Sequence, residues 1–141
     1  MERRLRELQS RGRILWLGHV DDQVLLEQLW GNCSVYVHGH SVGGTNPSLL
    51  QALGAGAPTL ALDTPFNAEV LRNRNQLYEP SPEALAARIG ELLRSEELRA
   101  ELAQVGRREV ADRYTWEDVC RRYLTVLERL GGSRRGGSSR R

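Results

Sequence analysis

Apolar residues follow two rhythms along this chain: spacings of three and four in some stretches, and short unbroken runs in others. In the first ten residues Leu5 and Leu8 share a face, which predicts a short helix ending near Gly12. Residues 13–18 (RILWLG) form a compact apolar run suited to a buried strand. Asp21 and Asp22 then offer cap chemistry for a helix carrying Val24, Leu25, Leu26, Leu29 and Trp30. Residues 34–37 (SVYV) read as a second buried strand that runs into the glycine-rich stretch HGHSVGGTN. Pro47 suits the first turn of the next helix, where a missing N–H costs nothing. Leu49, Leu50, Ala52 and Leu53 fill that helix, and Gly54 and Gly56 end it. After Pro58, residues 59–62 predict a third strand. The remainder is mostly helical, over 82–94 with Leu85, Ile89, Leu92 and Leu93 facing inward, then over 96–114 and 116–130.

Strands that are nearly all apolar and alternate with helices predict an α/β parallel sheet covered on both faces. A sheet of about three or four strands, flanked by helices and closed by a long helical carboxy terminus, is the expected architecture. At 141 residues the chain is the size of one ordinary domain. It shows no internal repeat. Residues 1–130 are expected to form that domain, and 131–141 (GGSRRGGSSRR) to be disordered, since nothing in them can pack.

Charge narrows the function classes only modestly. A net charge of +2 and a pI near 8.8 are too mild to imply nucleic acid. Four arginines in the terminal tail would give only unspecific, salt-sensitive attraction to a polyanion. All 20 basic residues are arginine, so no lysine is present to act as Schiff base, general base or phosphate ligand. Cys33 and Cys120, far apart and set in apolar patterns, read as reduced, buried small hydrophobes. No apolar run approaches the roughly 20 residues that span a bilayer, and MERRLRELQSRGR lacks the apolar stretch of a signal peptide. The expectation is a cytoplasmic protein, with peripheral membrane contact left open.

Ligands of open parallel sheets bind beyond the carboxyl ends of the strands. The loop after SVYV is therefore the leading candidate: Gly39, His40, Ser41, Val42, Gly43, Gly44, Thr45 and Asn46. Adjacent glycines allow close backbone approach, and the following helix aims N–H groups and a positive dipole end at the loop. A phosphate site and a purely structural turn both fit. Gln51, one turn past Pro47, can either face the loop or sit as a surface glutamine. His38 and His40 with Cys33 nearby fall short of the convergent ligands a metal needs, and no cofactor is expected. GHSVG matches the nucleophile-elbow pattern at Ser41, yet all three histidines precede it, against the order that pattern requires. Asp63 and Asn67, after the third strand, suit side-chain bonds that hold a loop. Glu69 there fits a structural or a sugar-facing role equally.

Residues 35–71 (VYVHGHSVGGTNPSLLQALGAGAPTLALDTPFNAEVL) resemble the donor-site core of retaining glycosyltransferases built from two Rossmann-like domains. The nearest branch is that of bacterial rhamnosyltransferases, whose segment reads HGHxVGGTNPSLLEAM and then DxxFNxEV. Upstream, LWLGHVDDQVLLEQLW is similar to the family's FxGxVxDxxLxxxLY, with Trp16 and Trp30 at the aromatic positions. RYTWEDVCRRYLTVLERL resembles its closing helix. The resemblance implies an incomplete Rossmann-like fold and a nucleotide-diphosphate sugar, dTDP- or UDP-linked, as donor. It implies transfer to a cell-surface polysaccharide or glycan. Of two family glutamates with seven residues between them, the first falls on Gly43, as in the rhamnosyltransferase-like branch. The second, a ribose contact, falls on Gln51, where the charge-assisted strength of a carboxylate is lost. Gly43, Gly44, Thr45 and Asn46 take the place of the sugar- and diphosphate-facing loop, with His40 ahead of them. Gly18, His19 and Val20 take the turn beside the nucleobase. The family's arginine and lysine for the diphosphate, and its acceptor domain, have no counterpart, so a chain supplying the missing amino-terminal half is an implied partner. Little or no transfer by the isolated chain is expected. The competing expectations are a non-catalytic nucleotide-sugar-binding or scaffolding module and, less in keeping with GGTNPSLL, a sugar-nucleotide epimerase.

Overall fold

The computed structural model describes residues 2–132. In chain order the elements are α1 (Glu2–Ser10), α2 (Gln23–Asn32), β1 (Tyr36–His38), α3 (Pro47–Ala55), β2 (Thr59–Leu62), α4 (Pro65–Leu71), a 3-10 turn (Arg74–Gln76), β3 (Leu77–Tyr78), α5 (Pro82–Arg94), α6 (Glu96–Arg113) and α7 (Trp116–Gly132). The strands form one parallel sheet in the order β1-β2-β3. Tyr36 lies opposite Thr59, and Ala61 opposite Leu77. The architecture is the expected α/β one, with helices flanking a short parallel sheet and a long carboxy-terminal helix.

Local chemistry explains most boundaries. Three helices start on a capping side chain followed by proline: Asn46–Pro47, Thr64–Pro65 and Ser81–Pro82. In each, the side-chain oxygen accepts an N–H of the first turn, and proline fills a position that has no N–H to satisfy. Asp22 caps α2 by accepting from Val24 and Leu25. Both α1 and α3 end in the left-handed turn that glycine allows. Gly12 (φ 65°) and Gly56 (φ 84°) each donate back three residues, and the following residue donates back five. Gly56 thus ends α3, whereas Gly54 lies inside it.

The core lies on both faces of the sheet. Leu49 and Leu53 of α3, Val70 and Leu71 of α4, and Ala61 and Leu77 of the strands form one cluster. Leu60, Tyr78, Leu92 of α5 and Leu102 of α6 form the other. At 1.5 Å per residue, α6 is about 27 Å long. It serves both faces, with Leu98 and Leu102 in the second cluster and Val110 in the first. Its crossing with α3 is close: a Cβ on buried Gly106 would stand 2.6 Å from Leu53 Cδ2.

Several expectations need correction. Residues 13–18 are not a strand: Leu15 is 77% and Leu17 49% exposed, and the segment is held to α1 instead, with Trp16 N–H donating to Gln9. Among the described residues no strand pairs with the outer edge of β1, so this apolar run has no ladder to join. The second strand is displaced to Tyr36–His38 by its register with β2. Three elements were unforeseen, namely α4, the 3-10 turn and β3, the last being too short to carry a period. Leu93 is 55% exposed rather than inward. Cys33 is half-buried and Cys120 exposed, both as free thiols. Helix α7 runs through Gly131 to Gly132, and the rest of the tail expected to be disordered lies outside the described residues. No helix among the described residues is long and apolar enough to cross a membrane.

The α3–α6 crossing makes opposite outcomes for two glycine substitutions. Gly106→Ala should lower the midpoint of urea unfolding, because overpacking of about 1–3 kcal/mol outweighs the helix-propensity gain. Gly90→Ala in α5, where the nearest atoms are the flexible end of Arg94, should raise stability by up to about 1 kcal/mol.

Candidate functional site

Strands β1 and β2 deliver two neighbouring loops to the same end of the sheet, and each loop feeds a helix amino terminus. His40, Val42, Gly43, Gly44 and Asn46 from the first loop, with Thr64, Phe66 and Asn67 from the second, line one small recess. Asn46 Oδ1 accepts from the N–H (3.0 Å) and hydroxyl (2.7 Å) of Ser48. Gly43 has φ 116°, which side-chain-bearing residues rarely adopt. An added Cβ there would meet nothing, so glycine is required by the backbone and not by crowding.

Asn67 ties the two loops together. Buried at the start of α4, its amide donates to the carbonyl of His40 (3.2 Å) and to that of Leu62 (2.9 Å). The loop-holding role expected of Asn67 is therefore present. Asp63 holds its loop differently, with its backbone N–H on the Tyr78 carbonyl (2.8 Å) and its carboxylate 3.5 Å from Arg74. Glu69 accepts through its backbone carbonyl from Arg113 at 3.4 Å.

Beneath the loop lies a pair of stacked imidazoles. The rings of His38 and His40 are 4.6 Å apart and inclined by 23°. His38, 1% exposed, shares a hydrogen bond with the Tyr36 hydroxyl through Nδ1 (3.2 Å), while its buried Nε2 has no partner. Burial first, and then the neighbouring His40, hold His38 below the ordinary imidazole range. His38 is thus a neutral floor for the loop.

The remaining expected site residues are dispersed. Gln51 faces a separate open cleft of about 600 Å³, beside Gln23, Glu27 and Trp30 of α2 and Val110 of α6. Gly18, His19 and Val20 line neither recess; His19 pairs with Asp21 at 2.8 Å on the surface. Thr45 stands between recess residues without lining it. Thr64 and Phe66 went unnoticed in the sequence, although Thr64–Pro65 repeats the Asn46–Pro47 pattern and could have marked a second helix start. Among the described residues no group of three or more His, Cys, Asp or Glu side chains is placed to hold a metal.

A family model described as "Glycosyl transferases group 1" matches residues 1–109. No curated protein and no solved structure matches the chain.

Two outcomes follow from this geometry. Asn67→Ala should cost about 1–3 kcal/mol of stability, since two carbonyls lose their donor, and should raise amide exchange across residues 39–46. Because His38 binds its proton less readily folded than unfolded, it stabilises the fold fully above the unfolded imidazole value of 6.5. That contribution is lost as pH falls below it. Unfolding midpoints measured from pH 7.5 to 5 should drop, and His38→Gln should flatten the drop.

Proposed function

The chain belongs to the group 1 glycosyl transferases, and we propose that its β1–α3 loop binds the diphosphate of a nucleotide-sugar donor. The carrying observation is the convergence of Gly43, Gly44 and Asn46 with the amino end of α3 on one recess at the carboxyl end of the sheet. The N–H groups of the Gly43–Asn46 loop and the positive end of the α3 dipole suit a diphosphate, the first-turn N–H groups of Ser48 and Leu49 being already bonded to Asn46. On this reading Gly43, Gly44, Thr45 and Asn46 face the diphosphate and sugar, with His40 alongside. Gln51 lies four residues beyond Pro47, about 6 Å along the helix axis, and takes the ribose. Gly18, His19 and Val20 border the base. The donor is dTDP-rhamnose or a UDP-sugar, and the product a cell-surface polysaccharide or glycan linkage made on the cytoplasmic side.

We read residues 1–130 as the donor-binding domain, with the acceptor side supplied by another chain or segment. The unpaired outer edge of β1 and the exposed apolar residues Leu15 and Leu17 support this reading. A second reading, a non-catalytic binding module, draws on Gln51, whose amide lacks the charge a carboxylate would bring to a hydroxyl.

Calorimetric titration with dTDP, UDP and their sugar conjugates tests the donor site. Micromolar binding with a preference between bases is expected. Gly43→Ala should weaken it about tenfold, because the loop must adopt a strained backbone. Silence at millimolar ligand from a folded chain would remove the donor-site reading. Turnover after adding the partner half would separate enzyme from module.

A further inference from the structure

The recess at the amino end of α3 is built almost wholly of groups that carry no charge. Of the described residues that line it, His40 alone can become charged. No arginine among the described residues lines it. Carboxylates are equally remote: neither Asp63 nor Glu69 belongs to the lining, and Asp63 stands 3.5 Å from Arg74. Two phenols lie close to the loop. The Tyr36 hydroxyl bonds His38, and the Tyr78 hydroxyl is 3.6 Å from where a Cβ on Gly39 would stand. Burial raises both phenols, so each stays neutral. An anion entering the recess therefore meets one ionisable side chain.

The stack beneath the loop decides where a proton can sit. His40 is exposed and His38 is buried. Two imidazolium rings 4.6 Å apart repel each other, so the pair holds one proton and not two. His38 is the worse place for it. Its Nδ1 is engaged by the Tyr36 hydroxyl, so a charged His38 would carry its second N–H at Nε2, a buried atom with no partner. His40 can carry its charge in water or against a bound anion. Imidazole is also the side chain whose charge changes between about pH 5 and 8 without special surroundings. An arriving diphosphate can thus draw a proton onto it.

We propose that His40 binds the donor diphosphate as an imidazolium and takes up a proton as the donor enters, while His38 stays neutral beneath it. The inference rests on the donor-site reading of the recess. It makes the cation of the site conditional: present as pH falls through the imidazole range, and lost as pH rises through it.

Calorimetry with UDP-glucose and dTDP-glucose tests this, because their doubly substituted phosphates have no proton that titrates near neutrality. Affinity should rise about fivefold to tenfold from pH 8 to 6.5, and buffers of different ionisation enthalpy should report uptake of up to about one proton per site. His40→Gln, which keeps a hydrogen-bonding group without the charge, should flatten that slope and weaken binding at pH 6.5 about tenfold. His40→Arg should hold the tighter binding at both pH values. In the unaltered chain at pH 7.5, the ring-carbon NMR signal of His40 should move toward its protonated position on adding UDP-glucose, and that of His38 should not. Binding without proton uptake, or a wild-type slope in His40→Gln, would overturn the inference and leave the donor-site reading standing. A proton that lands on His38 would do the same. Failure of both sugar nucleotides to bind at millimolar concentration would remove both.

Discussion

The structure depends on how one helix, α6, closes a sheet of only three strands. So small a sheet offers two apolar faces and little edge, and each face needs a cover. Leu102 and Leu98 of α6 complete one face, and Val110 reaches the other. The same helix also holds the ends of its neighbours. Arg99 donates to the carbonyls of Leu92 (2.7 Å) and Leu93 (3.2 Å) at the end of α5. Arg107 donates to Ala55 at the end of α3, and Arg113 to Glu69 near the end of α4. Each guanidinium meets the negative end of a helix dipole and satisfies carbonyls that have no partner within their own helix. The exclusive use of arginine thus has a structural consequence, whatever its origin: a long arm with several donors reaches across from α6 to three separate helix ends.

This arrangement determines how well the surface loops can be placed. Helices α3 and α4 are fixed at their carboxyl sides by α6 and at their amino sides by Asn46 and Thr64. The loops feeding them are tied to each other by Asn67 and rest on the His38–His40 stack. The glycine-rich loop is exposed, yet its two ends are anchored in the core. A loop held this way presents its N–H groups with little ordering left to do when an anion arrives, which is where binding free energy is otherwise lost.

What was legible in the sequence is what local chemistry decides. The Asp22 cap of α2, Pro47 in the first turn of α3, the glycine turns at Gly12 and Gly56 and the helical spacing of 82–94 all depend on neighbours within a few residues. The local part of Asn67's role, its bond to the Leu62 carbonyl, was also readable, whereas its bridge to His40, 27 residues away, was not. What was not legible depends on partners elsewhere. Residues 13–18 have the composition of a buried strand but no strand beside them. Leu93 follows the helical period of α5 but falls at the margin of its buried face. Strand β3 is two residues long and exists only because β2 offers a ladder. The side of α3 on which Gln51 emerges depends on where α2 packs, and no spacing rule reports that.

The separation between the loop and Gln51 bears directly on the donor. One recess sits at the amino end of α3, and the larger cleft runs along its flank against α2. A compact ligand would use one or the other. A nucleotide-diphosphate sugar is elongated, with a charged centre between two polar ends, and it can lie along α3 with the diphosphate at the helix terminus and the nucleoside toward Gln51. Trp30 and Leu50 then offer apolar surface, and Gln23, Glu27 and Gln51 offer hydrogen bonds, on the nucleoside side. Both sites are open to solvent, so each such bond competes with water and contributes little by itself. Tight binding on this surface requires a second wall that excludes water. The exposed apolar residues beside α2 and β1 are where such a wall has something to pack against.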